Sequence, residues 1–265
     1  KKMSYTVLSR KWRPKTFEDV VGQSHITKIL KNSIEQNKVS HAYLFSGPRG
    51  VGKTTIARIM SCNLNNVATI EDSIDIIELD GASNRGIDEI REIKESVRYA
   101  PVEGKYKVFI IDESHMLTKE AFNALLKTLE EPPPNVLFVL ATTEYNKLPL
   151  TIISRCQRYA FKRISVNVMV DYLTEILLRE GFEMDSKALK LIAYKADGSL
   201  RDSLSLLDKV ITLCDDKFIS DSITKKALGV IDEHEYLKIL KAVTSESFEG
   251  TFNSVEEILN SGISI

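Results

Sequence analysis

The sequence predicts a parallel α/β domain followed by a small all-helical domain, with a further helical unit begun at the end of the chain. Three observations carry this prediction. Between residue 41 and about 163, short apolar runs alternate with helical patterns, as in a parallel sheet whose strands are buried on both faces. A glycine-rich stretch joins the first of these runs to the helix behind it. Past Lys162-Arg163 one helical period follows another with no strand between.

The strands read as HAYLFSG (41–47), DIIELDGAS (75–83), KVFIIDE (107–113), VLFVLATT (136–143) and RYAFK (158–162). Continuous apolar runs of this length, separated by helices, point to βαβ units. IDEIREIKESVRYA (87–100) sets Ile87, Ile90, Ile93 and Val97 near one helical face. TKEAFNALLKTLEE (118–131) opens at a capping Thr118 and stops at Pro132-Pro133-Pro134. The later helices are VNVMVDYLTEILLRE, closed by Gly181, then SKALKLIAYKADG, SLRDSLSLLDKVITLC and SDSITKKALGV. EYLKILKAVTS and SVEEILNS begin more helix. The expected division is therefore a sheet domain over 1–163, a helical domain over 164–230, and an incomplete unit over 231–265.

Composition narrows the class. The 265 residues are 43% hydrophobic and 28% charged, enough for a sizeable core and more than one domain. Lys+Arg (36) nearly cancels Asp+Glu (37), so the molecule as a whole has no strong attraction for a polyanion, and any such binding needs a local patch. No apolar stretch approaches a membrane span, and the start lacks the apolar core of a secretory signal, so a cytoplasmic protein is expected. Cys62, Cys156 and Cys214 are far apart with no C-x-x-C pairing, and His25, His41, His115 and His234 are scattered. Neither set suggests a disulfide or a zinc site, and the histidines read as surface or packing residues.

Gly47-Pro48-Arg49-Gly50-Val51-Gly52-Lys53-Thr54 fits G-x-x-x-x-G-K-[ST], with a strand before it and the helical KTTIARIMSCNL after it. In such a loop the backbone N–H groups turn inward around phosphate oxygens and the helix start adds its positive end. Lys53 then reaches the outer phosphates and the Thr54 hydroxyl ligates Mg²⁺, with Thr55 next to it. Sixty residues on, an apolar strand delivers Asp112 and Glu113. Successive strand residues point apart, so Asp112 is expected in the Mg²⁺ shell and Glu113 as the base that polarises a water for attack on the γ-phosphate. These two motifs alone leave kinase, GTPase, helicase and motor readings open, although no base-reading Asn/Thr-Lys-x-Asp of a GTPase is present. Thr142-Thr143 puts a polar group at an apolar strand end, and GSLRDSLSLLDK (198–209) opens a helix with Arg201, whose charge could reach back to a nucleotide.

SYTVLSRKWRPKTFEDVVGQ (4–23), HAYLFSGPRGVGKTTIAR (41–58), FIIDESHMLTKEAFNALLKTLEEPP (109–133), LATTEYNKLPLTIISRC (140–156) and GSLRDSLSLLD (198–208) together resemble the γ/τ family of bacterial DNA polymerase III, the clamp-loader ATPases of the AAA+ class. The resemblance runs from Ser4 to about Val230 and implies a set of roles. ATP and Mg are the implied cofactors. Thr143, with Thr142 as the less favoured neighbour, corresponds to sensor 1, and Arg201 to sensor 2. Arg10, Trp12, Arg13, Pro14, Val20 and Val21 correspond to the segment beside adenine and ribose, where Trp12 and Val20 equally suit packing. Ser154-Arg155-Cys156 matches an arginine-finger motif, so Arg155 is expected to complete a neighbouring subunit's site in trans.

The implied partners are the delta and delta prime subunits, further gamma/tau copies, the sliding clamp and primer-template DNA, in a hetero-oligomeric ring within the DNA polymerase III holoenzyme, a nucleotidyltransferase complex. Ser83 and Arg85, at the start of the helix after the second strand, are the implied DNA-phosphate contacts, against a plain reading in which Asn84 and Arg85 only shape a turn. Met116, Leu117 and Phe122 lie near a helix start and read mainly as core, with clamp contact implied by likeness alone. The chain departs from the family at one place. Cys62 stands where the first of four zinc-module cysteines would lie, and SCNLNNVATIEDSIDIIELD supplies no other, so no zinc is expected. A AAA+ helicase motor and a scaffold that senses ATP without hydrolysing it stay open as rival readings.

Overall fold

The computed structural model describes residues 5–84, 86–214 and 216–230, and beyond them positions 237, 240, 241, 243–245, 252 and 256. The chain divides into two compact units. One takes 13–168 and 198–200, and the other takes the segment ending at Trp12, residues 169–197 and the chain from Arg201 onward. The unit expected over 231–265 lies almost wholly outside the described residues.

The elements in chain order begin with α1 (Leu8–Lys11), which belongs to the helical unit. The sheet unit follows with α2 (Ser24–Glu35), β1 (Ala42–Ser46), α3 (Lys53–Asn65), β2 (Ile76–Asp80), α4 (Ile87–Ser96), β3 (Lys107–Asp112), α5 (Lys119–Glu130), β4 (Val136–Thr142), α6 (Leu150–Ile153) and β5 (Gln157–Ala160). Among the described residues the five strands form one sheet in the order β2-β3-β4-β1-β5, and every neighbouring pair is parallel. Each of the five apolar runs read from the sequence holds a strand. Thr118 caps α5 as expected, its hydroxyl accepting the Ala121 N–H at 3.2 Å.

The strands were legible because both of their faces are buried. Along β1, Tyr43 and Phe45 face one core layer while Ala42 and Leu44 face the other. On β3, Val108 and Ile110 alternate in the same way with Phe109 and Ile111. The first layer is closed by Ile26 and Leu30 of α2 and by Ile56, Ile59 and Met60 of α3. The second is closed by Ile90, Ile93 and Val97 and by Ala121, Phe122, Leu125 and Leu129 of α5. Phe109 and Phe138 stack across β3 and β4 with centroids 5.2 Å apart. Burying one such ring contributes about 1.5–3 kcal/mol. The register sets Ser46 opposite Thr142 and Ala160, and Asp80 opposite Asp112, so the strands end together along one edge of the sheet.

The helical unit holds α7 (Val166–Glu180), β6 (Glu183–Met184), α8 (Ser186–Lys195), α9 (Leu200–Thr212), β7 (Phe218–Ile219) and α10 (Asp221–Leu228). Its buried face is built from Met169, Leu173 and Ile176, from Leu189 and Ile192, and from Leu204, Leu207 and Val210. Two corrections arise here. The expectation of helices without strands missed β6 and β7, which pair in parallel over two residues each, too short to leave a period in the sequence. The N-terminal segment, expected within the sheet domain, belongs to this unit. Glu180 accepts the Trp12 indole N–H at 2.7 Å and pairs with Lys11, the Tyr172 hydroxyl donates to the Trp12 carbonyl, Arg179 lies over the Trp12 ring, and Tyr5 donates to Asp208.

One buried polar side chain ties the sheet unit together beneath the loop after β1. Gln23, fully buried, donates to the Lys162 carbonyl at 2.7 Å and to the Val51 carbonyl at 3.4 Å, and accepts the Lys162 N–H at 3.4 Å. Gln23→Leu leaves those buried backbone groups without their partner, and a loss of about 1–3 kcal/mol of unfolding free energy is expected in a urea titration. An unchanged midpoint contradicts this account of Gln23.

Candidate functional site

The glycine loop leaves the end of β1 and turns directly into α3, so the first amides of that helix and its positive end lie at the loop. Gly47 has φ of +147°, and a Cβ there would stand 2.5 Å from the Phe161 carbonyl oxygen. Only glycine fits. The Gly47 N–H donates to the Thr142 carbonyl, fastening the loop to the end of β4. Gly50 and Gly52 also have positive φ, Val51 packs into the core, Pro48 and Thr55 are half-buried, and Arg49 is exposed. Lys53 is nearly buried and donates to the Gly47 and Pro48 carbonyls at 2.8 and 2.7 Å. Burial lowers the pKa of its ammonium, against the opposing pull of Glu113 and Asp112.

At the end of β3 the Thr54 hydroxyl donates to Asp112 Oδ2 at 2.5 Å. The loop helix and the β3 carboxylate thus meet directly. The Glu113 N–H donates to Asp112 Oδ1, and Glu113 itself has left-handed backbone angles, φ 45° and ψ 42°, which turn its side chain out of the strand alternation. Its Oε2 accepts the Thr143 hydroxyl at 2.9 Å and the Thr143 N–H at 3.4 Å. The neighbouring Thr142 is fully buried, and its hydroxyl instead meets His115 and the Glu144 N–H. Gly81, just past β2, packs against this pair of acids. Its N–H donates to the Asp112 carbonyl at 2.8 Å, and a Cβ there would lie 2.8 Å from the Glu113 carbonyl oxygen.

The structure therefore brings together Gly47, Lys53, Thr54, Asp112, Glu113 and Thr143 on one edge of the sheet. The other expected residues lie on other segments of the chain. Arg13, Pro14, Val20 and Val21 lie in the segment before α2, with Val20 packed on the core. Arg10 is in α1 and Arg201 is exposed in the first turn of α9, both in the helical unit. Arg155, just past α6, is folded onto its own chain: one guanidinium nitrogen donates to the Thr151 carbonyl at 2.6 Å and another pairs with Glu130 at the end of α5. The Ser83 hydroxyl donates to Asp80 at 2.8 Å. Arg85 lies outside the described residues. Leu117 and Phe122 are buried in the core.

Sequence reasoning missed Gln23, Gly81, Glu130 and above all His115, which it took for a surface or packing residue. Only the adjacency of His115 to Asp112-Glu113 could have flagged it.

The donors fit a nucleotide and a hard divalent cation. Magnesium commonly takes one or two protein oxygens and leaves its other positions to phosphates and waters, and Thr54 Oγ1 with Asp112 Oδ2 supplies such a set. Cys62 is buried in α3 with its thiol pKa pushed up, first by burial, and among the described residues no group of three or more His, Cys, Asp or Glu is placed to hold a metal.

Residues 22–165 match the family model for the DNA polymerase III delta subunit, and 168–216 match the ATPase lid domain of the DNA polymerase III clamp-loader subunit. The DNA polymerase III subunit gamma of Buchnera aphidicola subsp. Acyrthosiphon pisum is 40% identical over 98% of this chain and 76% of its own length. The chain belongs to the DNA polymerase III gamma/tau family. The tau subunits of Bacillus subtilis and Escherichia coli are 45% and 43% identical over 98% of the chain, which spans 49% and 43% of their lengths. The match with the Bacillus subunit runs to 277 positions, more than the 265 residues here, so that relative carries residues this gamma/tau chain lacks. In fold the chain is similar to the Thermotoga maritima RuvB Holliday junction branch migration motor, with a TM-score of 0.69 and 22% identity over 88% of this chain and 79% of that one. A nucleotide-binding AAA+ sheet domain with a helical lid follows from these matches. Among the described residues no helix is long and apolar enough to cross a membrane.

Gly47→Ala places a methyl group against backbone in a strained conformation, and should cost at least about 1–3 kcal/mol of stability and abolish nucleotide binding. Denaturant titration and binding of a fluorescent nucleotide check this, and wild-type affinity in the variant contradicts it.

Proposed function

We propose that this chain hydrolyses ATP as the ATPase subunit of a bacterial clamp loader, gripping an open sliding clamp and primer-template DNA with ATP bound and releasing both on hydrolysis. One observation carries the reading: Thr54 of the loop helix meets Asp112 at 2.5 Å with Glu113 alongside, in a chain of the gamma/tau family. A fold that only sensed the nucleotide would need the first contact and not the glutamate.

The loop amides and Lys53 hold the phosphates, and Thr54 with Asp112 holds magnesium. When bound, the metal neutralises phosphate charge and orients the terminal group. Glu113 accepts a proton from the attacking water, and the Thr143 hydroxyl, which donates to Glu113, senses the terminal phosphate. Arg13, Pro14, Val20 and Val21 flank the base and ribose with Arg10, and Arg201 carries the nucleotide state to the lid. Arg155 acts on the neighbouring subunit's site, which requires it to leave Glu130 and the Thr151 carbonyl of its own chain. A finger lent in trans confines hydrolysis to the assembled ring. The partners in this reading are delta, delta prime, further gamma/tau copies, clamp and DNA. Ser83 and Arg85 are the proposed phosphate contacts, and the compartment is the cytoplasm. Nucleotide transfer belongs to the polymerase of the holoenzyme, and this chain's own chemistry is hydrolysis.

The decisive comparison is ATP turnover by the chain alone and by the gamma/tau, delta and delta prime assembly with clamp and primed DNA. The isolated chain should bind ATP and turn it over poorly, whereas the assembly is strongly stimulated. Glu113→Gln should lower turnover by about 10²- to 10⁴-fold with ATP binding kept. Arg155→Ala in the assembly should lower it by about 10³-fold or more, again with binding kept. An Arg155→Ala assembly that hydrolyses normally overturns the trans-finger assignment.

A further inference from the structure

Glu113 is not held by its backbone alone. His115 follows it on the tight turn Ser114–Met116, which is fastened to β4 where the Ser114 hydroxyl donates to the Ala141 carbonyl at 3.0 Å. The His115 side chain is only 6% exposed. Its Nδ1 lies 3.1 Å from Thr142 Oγ1 and 3.4 Å from Glu113 Oε2, while Nε2 lies 3.2 Å from Glu144 Oε1. Glu144 is in turn paired with Lys147 at 2.8 Å, and its N–H donates to the same Thr142 hydroxyl. The ring is thus fixed at both nitrogens by groups at the end of β4 and presents one edge to the carboxylate at the end of β3.

A ring packed only for its volume needs none of these contacts. Thr143 and His115 approach the same Glu113 oxygen, Oε2, from two sides. Both approaches are to Oε2, and the attacking water of the proposed reaction would be met by Oε1. A glutamate has three side-chain torsions, and here it starts from a left-handed residue outside the strand alternation. Bracketing one oxygen is an economical way to fix the direction of the other.

We propose that His115 is a positioning residue that orients the Glu113 carboxylate, with Glu144 and Thr142 fixing the imidazole that does so. The inference rests on the assignment of Glu113 as the base. The neighbours of the His115 ring nitrogens are two carboxylates and a threonine hydroxyl.

The test uses the reconstituted assembly with clamp and primed DNA. His115→Phe keeps the ring volume and removes both nitrogens, and should lower kcat by about 10- to 100-fold, the cost of a misplaced reacting group. KM and the affinity for a fluorescent ATP analogue should stay within about twofold of wild type, the mark of an interaction that serves the transition state and not binding. His115→Asn sets an amide near the place of Nδ1 and should recover most of the turnover, whereas His115→Gln, with its amide near the place of Nε2, should not. In a Glu113→Gln background, His115→Phe should add no further loss. Thermal unfolding of each variant separates positioning from folding. The proposal is overturned if His115→Phe turns over like wild type, if its loss appears in KM or tracks a fallen melting temperature, or if Gln rescues better than Asn. Those outcomes, with Glu113→Gln still inactive, remove the histidine assignment alone. An active Glu113→Gln variant removes the base assignment and this inference with it.

Discussion

The hydrogen bond from Thr54 to Asp112 is the contact on which the rest of the site depends. It joins the first turn of the loop helix to the end of β3, two strands away from β1 in the sheet order. It can form only if all the strands run the same way and end along one edge. Parallel pairing, the buried alternation of aromatic and aliphatic residues on both faces, and the fit of Gly47 against the Phe161 backbone each serve that alignment. Where an open α/β sheet brings its carboxyl ends together and the strand order reverses, a crevice opens for a ligand.

That edge gathers charges that would be costly to bury singly. Lys53 is shielded from water, yet its ammonium rests on two loop carbonyls and lies in the field of Asp112 and Glu113. Asp112 accepts from Thr54 and from the Glu113 N–H, and Glu113 from Thr143. Each of these groups therefore has a protein partner at the sheet edge. Arg155 is paired elsewhere. Its partners Glu130 and the Thr151 carbonyl belong to its own chain and lie away from the glycine loop in sequence.

Much of this was legible in the sequence, for reasons that differ by element. The strands were visible because both faces are buried and leave continuous apolar runs. The loop and the Asp112-Glu113 pair were visible because their chemistry is contiguous along the chain. What escaped was non-local or too short. Gln23 binds a carbonyl 139 residues away, Trp12 reaches Glu180 across 168, and Arg155 meets Glu130 across 25. No spacing rule reports such pairs. The β6 and β7 pairing spans two residues on each side, and His115 looked like one of four scattered histidines until the ends of β3 and β4 were seen side by side.

If Thr54 and Asp112 hold magnesium as one unit at the sheet edge, the two side chains should act together on nucleotide affinity. This is tested most directly by nucleotide affinity with and without magnesium in wild type, Thr54→Val, Asp112→Asn and the double variant. Wild-type affinity should depend on magnesium, either single substitution should remove that dependence, and the double variant should lose nothing more. Magnesium dependence that survives either single change, or losses that add in the double variant, would contradict it.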